Sequence, residues 1–274
     1  IVKTMQKISI LGCGWLGFSL GQFLLKKGYS VLGSTTRVEK LEELKTAGIQ
    51  PFLIKLPNEI NEKESLEFFQ TDVLILNIPP GRKHPNVEMH HFEQIEKVMD
   101  MLKKGTIGKV VFVSSTGVYG NENQVATEVD APNPTRGSTK AIVTVEQFLQ
   151  EQANFQTTIL RMGGLVGGDR KAGRFLAGKT DVKNGNAPIN MVHREDCIGV
   201  IDEILKQDIW GEIFNVCADE HPTRKEFYLA QTKKQGLESP TFLEDGEPSF
   251  KIVDNRKVKE ILNYRFKHPD PMEF

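Results

Sequence analysis

Short apolar runs alternate with amphipathic stretches through the first 160 residues, and this alternation limits the folds that the chain can adopt. The apolar runs predict strands at Lys7–Leu11, Tyr29–Gly33, Pro51–Lys55, Asp72–Asn77, Lys109–Val113 and Thr157–Leu160. The amphipathic stretches predict helices at Trp15–Lys27, Val38–Ala47, Val87–Lys104 and Thr139–Gln152. Strands that are apolar throughout are buried on both faces, as in a parallel sheet covered by helices. With right-handed crossovers, this pattern predicts an α/β fold with a doubly wound parallel sheet.

The alternation weakens after Arg161, where glycines are frequent and periodicity is low. Two helices and one strand are predicted there, at Glu195–Lys206, Arg224–Lys234 and Glu212–Val216. A polar loop is predicted from Glu238 to Pro248, and Asp254 is predicted to N-cap a last helix ending at Leu262. We therefore expect a sheet domain over residues 1–160 and a smaller C-terminal lobe over residues 161–274, partly interleaved with the sheet.

Composition and charge exclude several classes of protein. The formal net charge of −1 gives no bulk field to recruit nucleic acid or an anionic membrane. The three cysteines, Cys13, Cys197 and Cys217, lack CxxC spacing, which argues against disulfides or a zinc site and favours a reducing compartment. No apolar run reaches the roughly 20 residues of a membrane span. Residues 1–6 lack the apolar core of a secretory signal. We expect a cytoplasmic protein with no nucleic-acid or membrane partner.

Three glycines lie between the first predicted strand and the first predicted helix, in the loop Gly12-Cys13-Gly14-Trp15-Leu16-Gly17. In this position, GxGxxG indicates dinucleotide binding. Gly12 permits the tight turn, Gly14 lets the backbone approach a pyrophosphate, and Gly17 lets the helix pack closely on the strand. The first amides of the helix, with those of Trp15 and Leu16 among them, then face the anion. A packing turn is the alternative, but it does not explain all three glycines. The sequence thus predicts a Rossmann-type dinucleotide site.

The end of the second strand bears on which dinucleotide binds. NAD enzymes usually have an acidic residue there, which accepts hydrogen bonds from the ribose hydroxyls. This chain instead has Ser34-Thr35-Thr36-Arg37, with no acid before Glu39. Arg37 can pair with a 2′-phosphate and the hydroxyls can donate to it. We predict NADP as the cofactor, with NAD as the alternative if Arg37 is only a solvated residue that opens a helix.

Several segments resemble the signatures of a known family, and they are Ile10–Gly17, Val113–Gly120, Leu160–Gly167, Met191–Asp196 and Ile213–Val216. The chain resembles the extended short-chain dehydrogenase/reductases, the NAD(P)-dependent epimerase/dehydratase family, over nearly its whole length. The GWLG loop and the segment Gly173–Thr180 are similar to an atypical bacterial branch, the YeeZ type. The resemblance implies a Rossmann-type domain with a C-terminal substrate lobe, and a substrate such as a nucleotide sugar.

The family's chemistry uses a Ser or Thr, a Tyr and a Lys, the last two spaced YxxxK on one helix. By position, Ser115 matches the serine and Lys140 matches the lysine, which the resemblance implies holds the nicotinamide ribose. Arg136 stands where the tyrosine is expected. An arginine stays protonated, so it cannot act as a general base. Arg136 can still stabilise an oxyanion or hold an anionic substrate, or it can be a surface residue of a proline-bearing loop. The resemblance implies a structural role for Tyr119, and a catalytic role is the alternative.

Other positions follow from the same resemblance. Ile78, Pro79 and Ser114 are implied to line the cofactor, although Pro-Pro-Gly also forms a plain turn. The substrate-binding positions implied or suggested by charge are Thr116, Arg136, Arg174, Lys179 and His193. The alternatives are a solvated loop for the two cations Arg174 and Lys179, and a packing role for the histidine.

No metal site is predicted. His84, His90 and His91 are interpreted as solvated helix residues, because adjacent helical side chains point about 100° apart. Two hypotheses about function remain. The first is an NADP-dependent oxidoreductase or epimerase/dehydratase acting on a small polar molecule, with Ser115 and Lys140 as catalytic residues. The second is a non-catalytic NADP sensor or scaffold, suggested by the missing tyrosine. A monomer and a homodimer are both compatible with the sequence.

Overall fold

A computed structural model describes residues 5–81, 83–244 and 246–274. Residues 1–4, on which part of the secretory-signal prediction depends, lie outside these ranges. The strands are β1 (Lys7–Leu11), β2 (Ser30–Thr35), β3 (Gln50–Leu53), β4 (Val73–Leu76), β5 (Lys109–Ser115), β6 (Gln124–Ala126), β7 (Gln156–Met162), β8 (Gly164–Val166), β9 (Met191–His193), β10 (Ile213–Val216) and β11 (Lys251–Val253). The α-helices are α1 (Trp15–Lys26), α2 (Leu41–Thr46), α3 (Glu62–Ser65), α4 (Val87–Lys104), α5 (Gly137–Gln150), α6 (Arg194–Gln207), α7 (Arg224–Lys234) and α8 (Arg256–Leu262).

Seven strands form a parallel sheet in the order β10-β7-β5-β4-β1-β2-β3. The chain leaves β1 toward β2 and β3, then returns to the other side of β1 as β4. The register pairs Ile10 with Gly33 and Leu11 with Leu76, so the carboxyl ends of these strands lie at one edge. The reversal between β1 and β4 is the topological switch point where doubly wound proteins bind ligands. The predicted Rossmann-type α/β sheet is confirmed.

The sequence pattern explains why these segments adopt their structures. All of β4 is buried, as a central strand of a parallel sheet must be. Helix α4 instead buries one stripe, which includes Ile95, Val98 and Leu102, and exposes its other face. Burial of such apolar side chains contributes about 1.5–3 kcal/mol each. The core therefore follows from periodicity that can be read along the chain.

Element boundaries differ from the predictions by a few residues. Strand β2 continues to Thr35, and the predicted helix from Val38 begins with a 3₁₀ turn before α2. The predicted N-cap of the last helix, Asp254, is wrong, because Asn255 holds that position. The carboxylate of Asp254 accepts from the amide of Arg256 (2.8 Å), whereas the side chain of Asn255 donates to Cys217 O (2.8 Å).

The chain divides into two compact units. The first contains residues 1–114, 135–160 and 208–212, and the second contains residues 115–134, 161–207 and 213–274. The predicted boundary after residue 160 coincides with one crossing between them, and the assignment of a substrate lobe remains a prediction. The second unit holds two short parallel ladders, β6–β11 and β8–β9, which the sequence pattern did not predict. Among the described residues, no helix is both long and apolar enough to cross a membrane.

Candidate functional site

The backbone of the glycine loop connects β1 to α1 in the first unit. Gly12 has φ +102°, and a Cβ built on it would lie 2.4 Å from the carbonyl oxygen of Asn77. A Cβ on Gly17 would lie 2.4 Å from the carbonyl oxygen of Gly12. Gly14 differs, because it is exposed and a Cβ there would meet no atom within 4 Å. Two of the glycines are thus required by close packing, and the third borders open space.

Side chains from two neighbouring strands hold the loop in place. The amide of Gly12 donates to the hydroxyl oxygen of Ser34 (2.9 Å), and the amide of Cys13 donates to the carbonyl of Ser34 (2.9 Å). The side-chain amide of Asn77 donates to the carbonyl of Gly12 (2.9 Å). These bonds satisfy the turn from within the fold. The loop is therefore fixed without any contribution from a ligand.

The first turn of α1 presents amides at the same corner. The amide of Phe18 donates to the carbonyl of Gly14 (2.8 Å), which makes Gly14 the N-cap. The preceding amides of the helix, Leu16 and Gly17 among them, have no carbonyl to bond within the helix. No acidic side chain lies in this turn, so the positive end of the helix dipole is not neutralised there. The open space at Gly14, the fixed turn and the oriented amides fit a diphosphate.

The end of β2 carries the residues predicted to select the cofactor. Ser34 is buried, and its hydroxyl oxygen accepts from the amide of Gly12. A contact between this hydroxyl and a phosphate stays a prediction. The hydroxyl of Thr35 accepts from the amide of Arg37 (3.2 Å), which orients the turn after the strand. Thr36 and Arg37 are exposed, and the guanidinium of Arg37 lies 4.0 Å from the carboxylate of Glu39. A screened surface contact of this kind contributes at most about 1 kcal/mol, so it can be exchanged for a phosphate.

The segment after β4 lies beside the glycine loop. The Cγ2 atom of Ile78 is 3.2 Å from the position that a Cβ on Gly12 would occupy. Ile78 is half-buried and Pro79 is exposed. The structure therefore brings Ile78 to the corner formed by the loop, and Pro79 follows it in the chain.

The two serines at the end of β5 have different environments. The Ser114 hydroxyl is buried and donates to the carboxylate of Glu146 on α5, so only the main chain of Ser114 is available to a cofactor. Ser115 is half-buried, and its oxygen accepts from the amide of Gly117 (3.1 Å) in a short turn. A hydroxyl that accepts one bond still has a proton to donate.

Helix α5 begins one residue after Arg136. Arg136 is the N-cap, and its carbonyl accepts from the amides of Thr139 (3.0 Å) and Lys140 (2.9 Å). Both Arg136 and Lys140 are exposed. The position at which the sequence resemblance led us to expect a tyrosine therefore presents an exposed guanidinium at the start of the helix.

Tyr119 belongs to a closed network in the second unit. Its hydroxyl donates to Asn215 Oδ1 (2.8 Å) and accepts from Arg161 Nη1 (2.8 Å). Arg161 is also buried, and its guanidinium lies over the Tyr119 ring. Burial raises the pKa of Tyr119 to about 12, with Arg161 opposing part of that shift. The phenol is therefore in its protonated form at neutral pH.

The predicted substrate-binding residues of the second unit differ in how exposed their side chains are. Thr116 is buried, whereas Arg174 and Lys179 are exposed. His193 is half-buried at the end of β9, and its Nδ1 accepts from the amide of Glu195 (3.3 Å). Its ring contacts His268 across a centroid distance of 3.8 Å. Sequence reasoning missed this contact, because 75 positions separate the two histidines and no motif links them.

One of the three histidines predicted to be solvated is not. His91 is fully buried on α4, where Nδ1 lies 3.2 Å from Gln94 Oε1 and Nε2 has no hydrogen-bond partner. Burial lowers the pKa of His91. The prediction failed because adjacent positions on an amphipathic helix can lie on its buried and its exposed face. His84 is exposed and His90 is half-buried, and their rings stack with a centroid distance of 4.2 Å.

Comparison with known proteins identifies the class of this chain. Residues 12–208 match the family model described as NAD(P)H-binding, and the chain belongs to this NAD(P)H-binding family. It is 33% identical to Protein YeeZ of Escherichia coli K12 over an alignment of 273 positions, which covers 98% of this chain and 98% of that protein. The predicted resemblance to the YeeZ type and to the NAD(P)-dependent epimerase/dehydratase group is confirmed.

Solved structures share the fold at lower identity. The WbmG enzyme of Bordetella bronchiseptica in complex with NAD matches with a TM-score of 0.81 and 17% identity, covering 99% of this chain and 93% of that chain. The UDP-glucuronic acid 4-epimerase of Bacillus cereus, in complex with UDP-glucuronic acid and NAD, matches with a TM-score of 0.77 and 20% identity, covering 97% and 96%. Together with the family match, these neighbours support an NAD(P)-binding, epimerase/dehydratase-like fold.

Proposed function

We propose that this chain is an NADP-dependent oxidoreductase or epimerase/dehydratase that acts on a small polar substrate of the nucleotide-sugar kind. The observation that carries the proposal is the glycine loop, fixed by Ser34 and Asn77 and open at Gly14. The fold neighbours that bind UDP-sugars support the substrate class. NADP, when bound, supplies the hydride chemistry at its nicotinamide.

The cofactor contacts follow from the first unit. Main-chain amides at Gly14, Trp15, Leu16 and Gly17 bind the diphosphate, next to the turn at Gly12. Thr35, Thr36 and Arg37 bind the 2′-phosphate. Ile78, Pro79 and the main chain of Ser114 line the cofactor, and Lys140 donates to the nicotinamide ribose. The supporting facts are the exposure of Arg37 and Lys140, and the side chain of Ile78 beside the loop.

The catalytic contribution of the protein is a hydrogen bond and positive charge. Ser115 orients the substrate through its hydroxyl proton. Arg136, exposed at the start of α5, stabilises negative charge on the substrate oxygen. Thr116, Arg174, Lys179 and His193 are the further substrate contacts. The absence of a tyrosine at position 136 removes a group that typically gives about 10²–10⁴-fold in rate, so we expect slow turnover.

The preference for NADP over NAD tests the role proposed for Arg37, which follows β2. Unfolding temperature is measured while NADP or NAD is titrated into wild type, Arg37→Ala and Lys45→Ala, an exposed cation on α2 that serves as control. Loss of a charge-assisted phosphate contact, at about 1.5–3 kcal/mol, lowers NADP affinity about 10–100-fold in Arg37→Ala. NAD affinity and the control stay unchanged. An unaltered ratio in Arg37→Ala rejects this role for Arg37.

An activity assay tests whether the protein catalyses the proposed reaction and whether Ser115 takes part. A panel of sugar nucleotides and small carbonyl compounds is followed through the absorbance of NADPH, with wild type, Ser115→Ala and Ser115→Thr. We expect activity that is lost in the alanine variant and partly rescued by threonine, which keeps the hydroxyl. Equal rates in all three proteins would remove Ser115 from the mechanism.

A second candidate is a non-catalytic NADP sensor or scaffold. The closed network around Tyr119 favours it, because that tyrosine is not available to replace the missing one. Tight NADP binding with no turnover on the panel and a dinucleotide-dependent switch between monomer and homodimer would select this candidate. We propose the cytoplasm as the site of either function, since all three cysteines are buried free thiols.

A further inference from the structure

Three side chains of the kinds that bind metal ions converge in the second unit, and one of them, His193, is also a proposed substrate contact. His193 ends β9, Glu195 lies in the first turn of α6, and His268 follows α8. We call them the histidine cluster. One nitrogen of each imidazole and one carboxylate oxygen lie within 4.8 Å of one another. The Oε2 atom of Glu195 is 3.3 Å from Nε2 of His268.

We propose that the histidine cluster binds a divalent transition-metal ion of the zinc type. Two imidazole nitrogens and one carboxylate oxygen are a donor set that Zn²⁺ and its neighbours in the first transition row prefer, with water at the remaining position. With bonds of about 2.0–2.1 Å, a tetrahedral ion separates its ligand atoms by about 3.4 Å. The cluster must therefore contract, and the side chain of Glu195, 58% exposed, has room to rotate toward the ion.

Asp196 holds the cluster's most distant member in position. It is fully buried, and its carboxylate accepts from the amides of Lys267 (2.7 Å) and His268 (3.1 Å) and from the hydroxyl of Tyr264 (2.9 Å). The backbone at His268 is thus fixed before any ion binds. A pre-organised ligand loses less conformational entropy on binding, which favours a specific site over adventitious binding to a mobile histidine.

The two imidazole rings already make contacts that an ion would replace. Nδ1 of His193 accepts from the amide of Glu195 (3.3 Å), and Nε2 of His268 lies 3.3 Å from the carboxylate of Glu195. Each imidazole nitrogen has one lone pair at most, so a nitrogen that binds the ion loses its hydrogen bond. Both contacts are longer than a typical hydrogen bond, which keeps the cost of replacing them small.

The direct test is titration of untagged, chelator-treated protein with Co²⁺ and Zn²⁺ at pH 7.5. We expect visible Co²⁺ absorption bands that saturate at one equivalent and disappear when Zn²⁺ is added. The bound ion would link the junction of β9 and α6 to residue 268 and so stabilise the folded protein. We expect the unfolding temperature to rise by about 5 °C when the free metal concentration is 100 times the dissociation constant of the metal. Weak, unsaturated bands or several equivalents bound with equal affinity would overturn the proposal.

Variants separate this site from other histidines. Glu195→Gln and His268→Gln each lower the affinity for Co²⁺ at least about tenfold, since even outer partners of a metal site typically contribute 10–100-fold. The control is the double variant His84→Gln, His90→Gln, which removes the other close pair of rings and should leave affinity unchanged. Glu195 is largely exposed, so Glu195→Gln keeps the metal-free unfolding temperature and remains informative even if His268→Gln folds poorly. Wild-type affinity in Glu195→Gln, or loss of affinity in the control, would contradict the assignment.

Discussion

The turn at Gly12 and the network at Tyr119 are both held by polar side chains from distant parts of the sequence, yet they serve opposite purposes. At Gly12, Ser34 and Asn77 bond the backbone, and the next glycine faces open space. At Tyr119, every polar group described above bonds to another protein group, and Arg161 is enclosed with the phenol. The first arrangement is prepared for a ligand, and the second is complete without one.

We propose that this difference lets the chain keep an NAD(P)-binding fold with an arginine, and no tyrosine, at position 136. The Gly12 turn depends on backbone shape, which small residues and two hydrogen bonds preserve. A proton donor depends instead on one ionisable side chain in the correct state. The Tyr119 hydroxyl is bonded to Asn215 and Arg161, and burial raises its pKa to about 12, which disfavours that role. Cofactor binding and proton transfer therefore depend on different parts of the molecule and can be tested separately.

The largest effect is expected for Gly12→Ala. A side chain would be strained at φ +102° and would lie 2.4 Å from a backbone oxygen. Backbone strain and overpacking together cost about 4 kcal/mol. We expect the unfolding temperature to fall by at least about 8 °C and NADP binding to be lost. Wild-type stability in a thermal melt would show that the turn is not under the constraint described here.

Alkaline pH should weaken the Tyr119 network. The phenol ionises near pH 10 in an unfolded chain, whereas burial raises the pKa of Tyr119 to about 12 in the folded protein. Its contribution to stability is complete below pH 10 and is lost as the pH rises toward 12, by about 3 kcal/mol in total. Urea unfolding of wild type and Tyr119→Phe across this range isolates the effect. If the difference in unfolding free energy between wild type and Tyr119→Phe stayed constant from pH 9 to 12, the proposed titration of Tyr119 would be contradicted.

At neutral pH, Tyr119→Phe tests whether the tyrosine is structural. Removing the hydroxyl leaves Asn215 and Arg161 without a shared partner and costs about 1–3 kcal/mol in the free energy of unfolding. NADP affinity and any turnover per folded molecule should be unchanged. If stability were retained but turnover lost, Tyr119 would be the missing proton donor.

Ser34→Ala should have the smallest effect on stability. It deprives the Gly12 amide of its acceptor while keeping the backbone bond from Cys13 to position 34. The expected loss is about 1 kcal/mol in unfolding free energy, with a weaker NADP-dependent rise in unfolding temperature. Denaturant titration and thermal melts with NADP measure both. An unchanged NADP response would mean that Ser34 does not fix the loop.

Most of the sheet could be predicted because its signal is local. The apolar run at β4 and the GxGxxG spacing after β1 lie within a few residues, so periodicity was sufficient. The ladder between β8 and β9 was missed because three-residue strands are too short for a periodic signal. The burial of His91 was missed because the sequence alone does not reveal which side of α4 faces the core at its first turns.

The candidate site also has a part that the sequence predicts and a part that it does not. The three glycines could be found by their spacing, but the bonds that fix them come from Ser34 and Asn77, 22 and 65 positions away from Gly12. Glu195 and His268 are separated by 73 positions, and Asp196 holds the histidine by backbone bonds that no motif encodes. Contacts that depend on tertiary structure leave no pattern along one sequence.

Gly14→Ala tests the central claim most directly, namely that the open space at Gly14 belongs to a dinucleotide diphosphate. A Cβ there meets no protein atom within 4 Å, so the cost in stability is limited to that of an alanine at a helix N-cap, about 1 kcal/mol. The rise in unfolding temperature with NADP is measured for wild type and the variant. The account predicts a folded variant whose NADP affinity is at least about tenfold weaker, because the methyl group occupies the approach to the loop. A folded Gly14→Ala protein that responds to NADP as wild type does would contradict it.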